Sequence, residues 1–172
     1  MTHILILFFA TFSAAFMATV PPGLLNMNAA KISVEKGKIN GVIFSIGVST
    51  MIMIQAYIAV FISKFLYRNP DVIDILFKIA VGVFAFFAIY FFLMAKKKKK
   101  QKIKQVNLSK KNSFFKGILL AALNLLTIPY YSGLNAMWNE AGWIQFEAKD
   151  ITTFVFAAGA GTFSVLYLYT FY

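Results

Sequence analysis

Of the 172 residues in this chain, 60% are apolar, 20 are Phe and only 13% are charged. That balance excludes a soluble domain of this size and points to a bilayer as the solvent. The net charge of +11 does not point to nucleic acid, because ten of the 17 basic residues crowd the stretch from Lys96 to Lys116, between apolar runs.

Five apolar runs are long enough to span, at about 20 residues per crossing: Ile4–Val20, Gly41–Ser63, Val72–Ala95, Phe114–Trp138 and Ile151–Tyr172. Each is read as a helix, since in lipid a backbone must bond within its own segment. Continuous runs of this length argue against the alternating strands of a membrane barrel. The fold class is therefore all-α integral membrane, with five transmembrane helices.

Taken in order, the chain opens on His3, its one histidine, placed at a frayed terminus. Thr2-His3 lacks the fixed positive charge of a secretory leader. The first span is interrupted at Thr19-Val20-Pro21-Pro22-Gly23. Proline has no N–H to donate, so Pro21 and Pro22 free the carbonyls of Met17 and Ala18, and Gly23 allows close backbone approach. A basic loop follows with Lys31, Lys36 and Lys38, where Glu35 reads as a solvated acid. In the second span Gly41, Ser45 and Ser49 form a small-residue stripe for helix contact, and Gln55 reads as an interhelical hydrogen-bonding group. Beyond the third span, the linker 96–112 is low in complexity and solvated by like charge. The fourth span carries a second small pair, Gly117 and Ala121, then a second interruption at Thr127-Ile128-Pro129, where Pro129 frees Leu125. Asn135, like Gln55, is a lone polar group among apolar ones.

The two interruptions look like copies. Thr19 is followed after 28 residues by Gly47, in Phe44-Ser45-Ile46-Gly47-Val48-Ser49-Thr50; Thr127 is followed after 32 by Gly159, in Phe156-Ala157-Ala158-Gly159-Ala160-Gly161-Thr162. This divides the chain into a first three-helix repeat (1–95), the linker (96–112) and a second repeat (113–172) holding two helices. Three spans being an odd number, the second repeat enters the membrane in the opposite sense, as an inverted-topology pair. A sixth helix is then missing, through truncation, through loss, or because a partner subunit supplies it. Thirteen bases on one side, against Lys64, Arg68, Lys78 and Lys149 on the other, put the N-terminus outside and both basic loops in the cytoplasm. The acids Asp71, Asp74, Glu140, Glu147 and Asp150 fall on the outer side. The lysine run is also able to hold anionic lipid headgroups.

Paired broken segments mark a binding site between repeats in secondary transporters. Each break leaves N–H donors on one stretch and free carbonyls on the other, and a zwitterion needs both. The candidate substrate-binding residues are Thr19, Pro21, Pro22, Gly23, Asn26 and Asn28 at the first break. At the second they are Asn124, Thr127, Pro129 and Tyr130, with Tyr131 beside them. No Asp, Glu or Arg falls mid-span, no cysteine is present, and there is no nucleophile–base pair, phosphate loop or metal-ligand cluster. The sequence therefore predicts no enzyme, no cofactor and no bound metal.

The run Pro21-Pro22-Gly23, with Gly37, Gly41 and Gly47, resembles the amino-terminal signature of the lysine exporter (LysE) family, in which a Pro-Gly-Pro break is followed by glycines at similar intervals. Gly117, Asn124 and Pro129 resemble the family's second break. The resemblance implies a multi-pass protein of the bacterial inner (plasma) membrane that exports amino acids or related small solutes, with Pro21, Pro22, Gly23 and Pro129 as core positions. It also allows a homo-oligomer. This chain departs from the family in reading Pro-Pro-Gly and in lacking the sixth helix. The rival readings are a non-transporting membrane scaffold or truncated inactive paralogue, and a transporter of another small solute.

Overall fold

A computed structural model describes residues 2–69 and 110–171, with positions 78, 81, 82, 85, 86, 89 and 92 between them. The rest of the third predicted span and the linker through 109 lie outside the described residues. The chain divides into two units, Met1–Lys64 with Leu108–Tyr172, and Phe65–Asn107. In the second, the described positions from 78 to 92 are helical. The first holds the features that follow.

Six helices are described: α1 (Thr2–Thr19), α2 (Leu24–Lys36), α3 (Lys38–Arg68), α4 (Lys110–Ala122), α5 (Thr127–Glu140) and α6 (Ala148–Phe171). Among the described residues α1, α3 and α6 are long and apolar enough to cross a membrane, and α4 with α5 forms an apolar pair bent by 67°. This is an all-α, multi-pass membrane protein. The first, second and fifth predicted spans correspond to α1, α3 and α6 and the fourth to the bent pair, while most of the third lies outside the described residues.

The interruptions differ in detail from expectation. The last backbone bond before the first break is Val20 N–H to Phe16 O at 3.0 Å; Pro21 and Pro22 have no N–H with which to continue. The basic segment after the first break, expected as a loop at Lys31, Lys36 and Lys38, is helical through Lys36 as part of α2. Its low apolarity hides this, because a hydropathy reading detects lipid contact rather than helicity. The helix stops at Gly37, whose φ of 88° suits glycine. At the second break the chain bends at residues 123–126, ahead of Pro129. That proline sits in the first turn of α5, where a missing N–H costs nothing, so it starts a helix and does not break one. Asn124 N–H bonds to Ala121 O at 3.0 Å, and Thr127 N–H to Asn124 O at 3.2 Å, which turns the chain there.

Each long helix carries a broken pair alongside it. Contacts of α1 with α6 run parallel: His3 Nε2 lies 3.2 Å from Asp150 Oδ1, Gly161 lies against the Phe12 carbonyl, and Tyr169 OH donates to Val20 O at 2.9 Å. Beyond the first break Ser33 Oγ of α2 donates to Thr170 O at 2.6 Å. Contacts of α3 also run parallel, first with α4 and then with α5. Ser113 Oγ donates to Asn40 Oδ1 at 3.4 Å, Gln55 Nε2 to Ala121 O at 3.1 Å and Ser132 Oγ to Ala59 O at 3.2 Å. Between the first two of these contacts, α3 and α4 touch backbone to backbone. A Cβ at Gly47 would overlap Phe114 O, and one at Gly117 would overlap Phe44 O. Finally α5 crosses back over α1, with Tyr130 OH on Ala14 O at 2.9 Å and Trp138 Nε1 on Thr11 Oγ1 at 3.1 Å. Of the predicted small residues, Gly117 lies at such a crossing and Gly41 packs against Ser33 and Thr170, while Gly47 stands outside the predicted stripe.

Charge separates to the two ends of this unit. Lys31, Lys36 and Lys116 stand within electrostatic reach of one another, where α2 ends and α3 and α4 begin. The opposite end carries His3, Glu140, Glu147 and Asp150 together with two bases, Lys149 and Lys64. Asp150 is not the exposed loop acid that the sequence implied. It is 1% exposed, accepts a 2.7 Å bond from Gln145 N–H, and sits in the first turn of α6, where the helix dipole favours an anion. Glu35 is likewise no loop residue: it pairs along α2 with Lys31, at 3.8 Å.

The glycine crossing yields a prediction of sign. Gly47→Ala pushes a methyl into the Phe114 carbonyl and should cost about 3 kcal/mol. Gly133→Ala on α5, where a Cβ meets nothing within 4 Å, should be neutral or stabilise by about 0.5 kcal/mol. Thermal unfolding of the purified variants in detergent measures both.

Candidate functional site

Both breaks open onto one cavity of about 480 Å³. Thr19, Pro21, Gly23 and Asn26 line it from the first, and Asn124, Thr127 and Tyr130 from the second. Seven of the ten candidate residues are thereby gathered at one place. Pro22, Asn28 and Pro129 are not among the lining residues. Asn28 turns instead to its own helix, donating to Leu24 O at 2.8 Å. Pro129 lies in the turn that starts α5.

The polar side chains at the site have mostly committed their protons to the backbone. Asn26, 3% exposed, donates through Nδ2 to the Thr19 carbonyl and, at 2.9 Å, to the Pro21 carbonyl. It satisfies two carbonyls that the break leaves open. Thr19 Oγ1 donates to Ala15 O at 2.7 Å, and Tyr130 OH is held by Ala14 O. What these three groups retain toward the cavity is acceptor capacity: Asn26 Oδ1 and two hydroxyl oxygens. The donors come from elsewhere. Gly23 caps α2 in extended conformation and Leu126 caps α5, and neither position makes a side-chain cap bond. The first N–H groups of α2, at Leu24, Leu25 and Asn26, therefore lack intrahelical partners and carry the positive end of the helix dipole.

Sequence reasoning missed part of the wall. Ile52 of α3 and Thr162 of α6 line the cavity with Tyr131 and a group of leucines. Thr162 stood in the second repeated segment, Gly159-Ala160-Gly161-Thr162, so a signal was present. Ile52 gave none, being one more apolar residue in an apolar span. The amide of Gln55 does what was expected of it and something more. Its bond to Ala121 O ties α3 to the last turn of α4 at the second break. Its Oε1 and both amide atoms of the fully buried Asn135 find no hydrogen-bond partner among the described residues.

Among the described residues no group of His, Cys, Asp and Glu is arranged to hold a metal ion. The cavity-lining residues include no charged side chain, and what they offer is hydrogen bonding and apolar contact. A model of the LysE type translocator family matches residues 6–171 of the chain. No curated protein and no solved structure matches it.

Replacing Asn26 by Leu should leave the Thr19 and Pro21 carbonyls unsatisfied and destabilise the protein by about 2–4 kcal/mol. Asn28→Ala, which removes an exposed bond within one helix, should stay within about 0.5 kcal/mol. Chemical or thermal unfolding in matched detergent distinguishes the two.

Proposed function

Because the chain belongs to the LysE type translocator family, we propose that it is a secondary transporter exporting amino acids or related small zwitterions across the bacterial inner membrane. The observation that carries this reading is the meeting of two helix breaks, from different halves of the chain, on one cavity. A zwitterion suits what that cavity offers. Its carboxylate takes the uncapped N–H groups at the start of α2. Its ammonium takes the acceptor oxygens of Thr19, Asn26 and Tyr130, whose own protons point away into backbone carbonyls.

The halves act as an inverted pair. Helices α1, α2 and α3 belong to one repeat and α4, α5 and α6 to the other, and each long helix runs parallel to the broken pair of the opposite repeat. The contacts are reciprocal in kind. Gly161 meets the carbonyl of Phe12 in the first half-helix of the other repeat, as Gly47 meets that of Phe114. Ser33 and Ser132, in the second half-helices, each donate to a long-helix carbonyl across the pair. Rocking one such pair against the other exposes the cavity first to one face and then to the other, which is alternating access around paired broken helices. The lysine-rich end faces the cytoplasm by the positive-inside rule, where its bases also meet anionic headgroups.

Efflux tests this directly. Cells loaded with dipeptides and carrying the chain should release at least one amino acid faster than cells without it. Gly23→Phe should abolish that release with insertion intact, because a Cβ there meets nothing closer than Pro21 O at 3.9 Å and the ring fills the cavity. Release of no amino acid by a correctly inserted protein would favour a non-transporting scaffold.

A further inference from the structure

The cavity also bears on which amino acids are carried, an inference that rests on the exporter reading. Its wall is divided into two kinds of surface. One is the ring of backbone donors and oxygen acceptors around the first break, matched to the ammonium and carboxylate that every amino acid shares. The other consists of Leu24, Leu25, Ile52, Leu120, Leu123 and Leu126, branched aliphatic side chains from both breaks and from α3. A cargo whose common part is held by the first surface must lay its side chain on the second.

Charge is absent from that second surface, and no acid lines the cavity. Glu35 is paired with Lys31, Asp150 is held by Gln145 N–H and His3 at the far end of α6, and Glu140 and Glu147 are exposed near the end of α5 and in the stretch that follows it. Where α4 begins, Lys116 stands within electrostatic reach of Lys31 and Lys36 and also of Glu35. A lysine or arginine side chain laid on that wall would thus lose its water without gaining a carboxylate. A leucine, isoleucine or valine side chain loses nothing and gains apolar contact. A volume of about 480 Å³ accommodates any of these, so size does not decide between them; charge and polarity do.

We infer that the cargo is a neutral amino acid with an aliphatic side chain, selected by the leucine-rich wall, and that cationic amino acids are excluded. The wall, not the zwitterion-binding ring, sets this choice.

The test is a release panel from cells fed dipeptides of Leu, Ile, Val, Lys and Arg, with the wild-type chain and with Leu123→Asp at matched membrane expression. Leu123 is 68% exposed and lines the cavity, so the carboxylate replaces a side chain that is not packed into the core. The wild type should release the aliphatic amino acids at least tenfold faster than Lys or Arg, and the variant should shift that ratio toward Lys by at least tenfold. Lys or Arg released as fast as Leu by the wild type would overturn this inference and leave the exporter reading standing. So would a variant that still exports Leu with an unchanged ratio. Release of none of the five, with other amino acids released, would equally overturn the inference alone; release of no amino acid at all would overturn both.

Discussion

A helix that stops inside a bilayer leaves carbonyls and amides that lipid cannot satisfy, and this constraint governs how the protein is built. Each break is held by a carboxamide. At the first, Asn26 reaches back from α2 to the carbonyls of Thr19 and Pro21. At the second, Gln55 reaches from α3 to Ala121. With those acceptors engaged, what remains open toward the cavity is the uncapped start of α2 and the spare lone pairs of hydroxyl and amide oxygens. Interrupted backbone that would be a liability in lipid becomes a binding surface because it faces protein and a cavity instead.

The breaks converge because the helices approach one another more closely than side chains normally permit. Gly47 and Gly117 let α3 and α4 touch at the backbone, and Gly161 does the same for α6 and α1. Without a hydrophobic force between helices in lipid, close packing and buried hydrogen bonds hold such a bundle together. The serines of α2 and α5 supply the latter, each donating to a carbonyl of a long helix. Residues far from the cavity thereby fix how the two breaks lie against each other, and a methyl group at a crossing should be felt at the cavity.

Much of this was written in local sequence. Apolar run length located the spans, the prolines flagged both interruptions, and Gly41 and Gly117 marked helix contacts. The misreadings have physical causes. Pro129 was taken for a breaker because a proline in a long apolar run usually is one, whereas in a first turn it is harmless. The lysine-bearing part of α2 reads as a loop because that helix is only weakly apolar. Asp150 read as a surface charge, since nothing local shows that a carboxylate will be buried against the N–H of Gln145. The contribution of Ile52 to the cavity wall was illegible for a different reason: it depends on which face of α3 turns toward residues nearly 70 positions later in the chain, and periodicity in a uniformly apolar helix does not say.

The central claim is that amino acids occupy the cavity between the two breaks. Because the chain has no cysteine, Asn124→Cys places a single thiol at the exposed, cavity-lining turn of the second break. Its rate of labelling by a membrane-impermeant maleimide in oriented vesicles should fall severalfold when saturating leucine is added. A labelling rate unchanged by every amino acid tried, in a variant that still transports, would contradict the account.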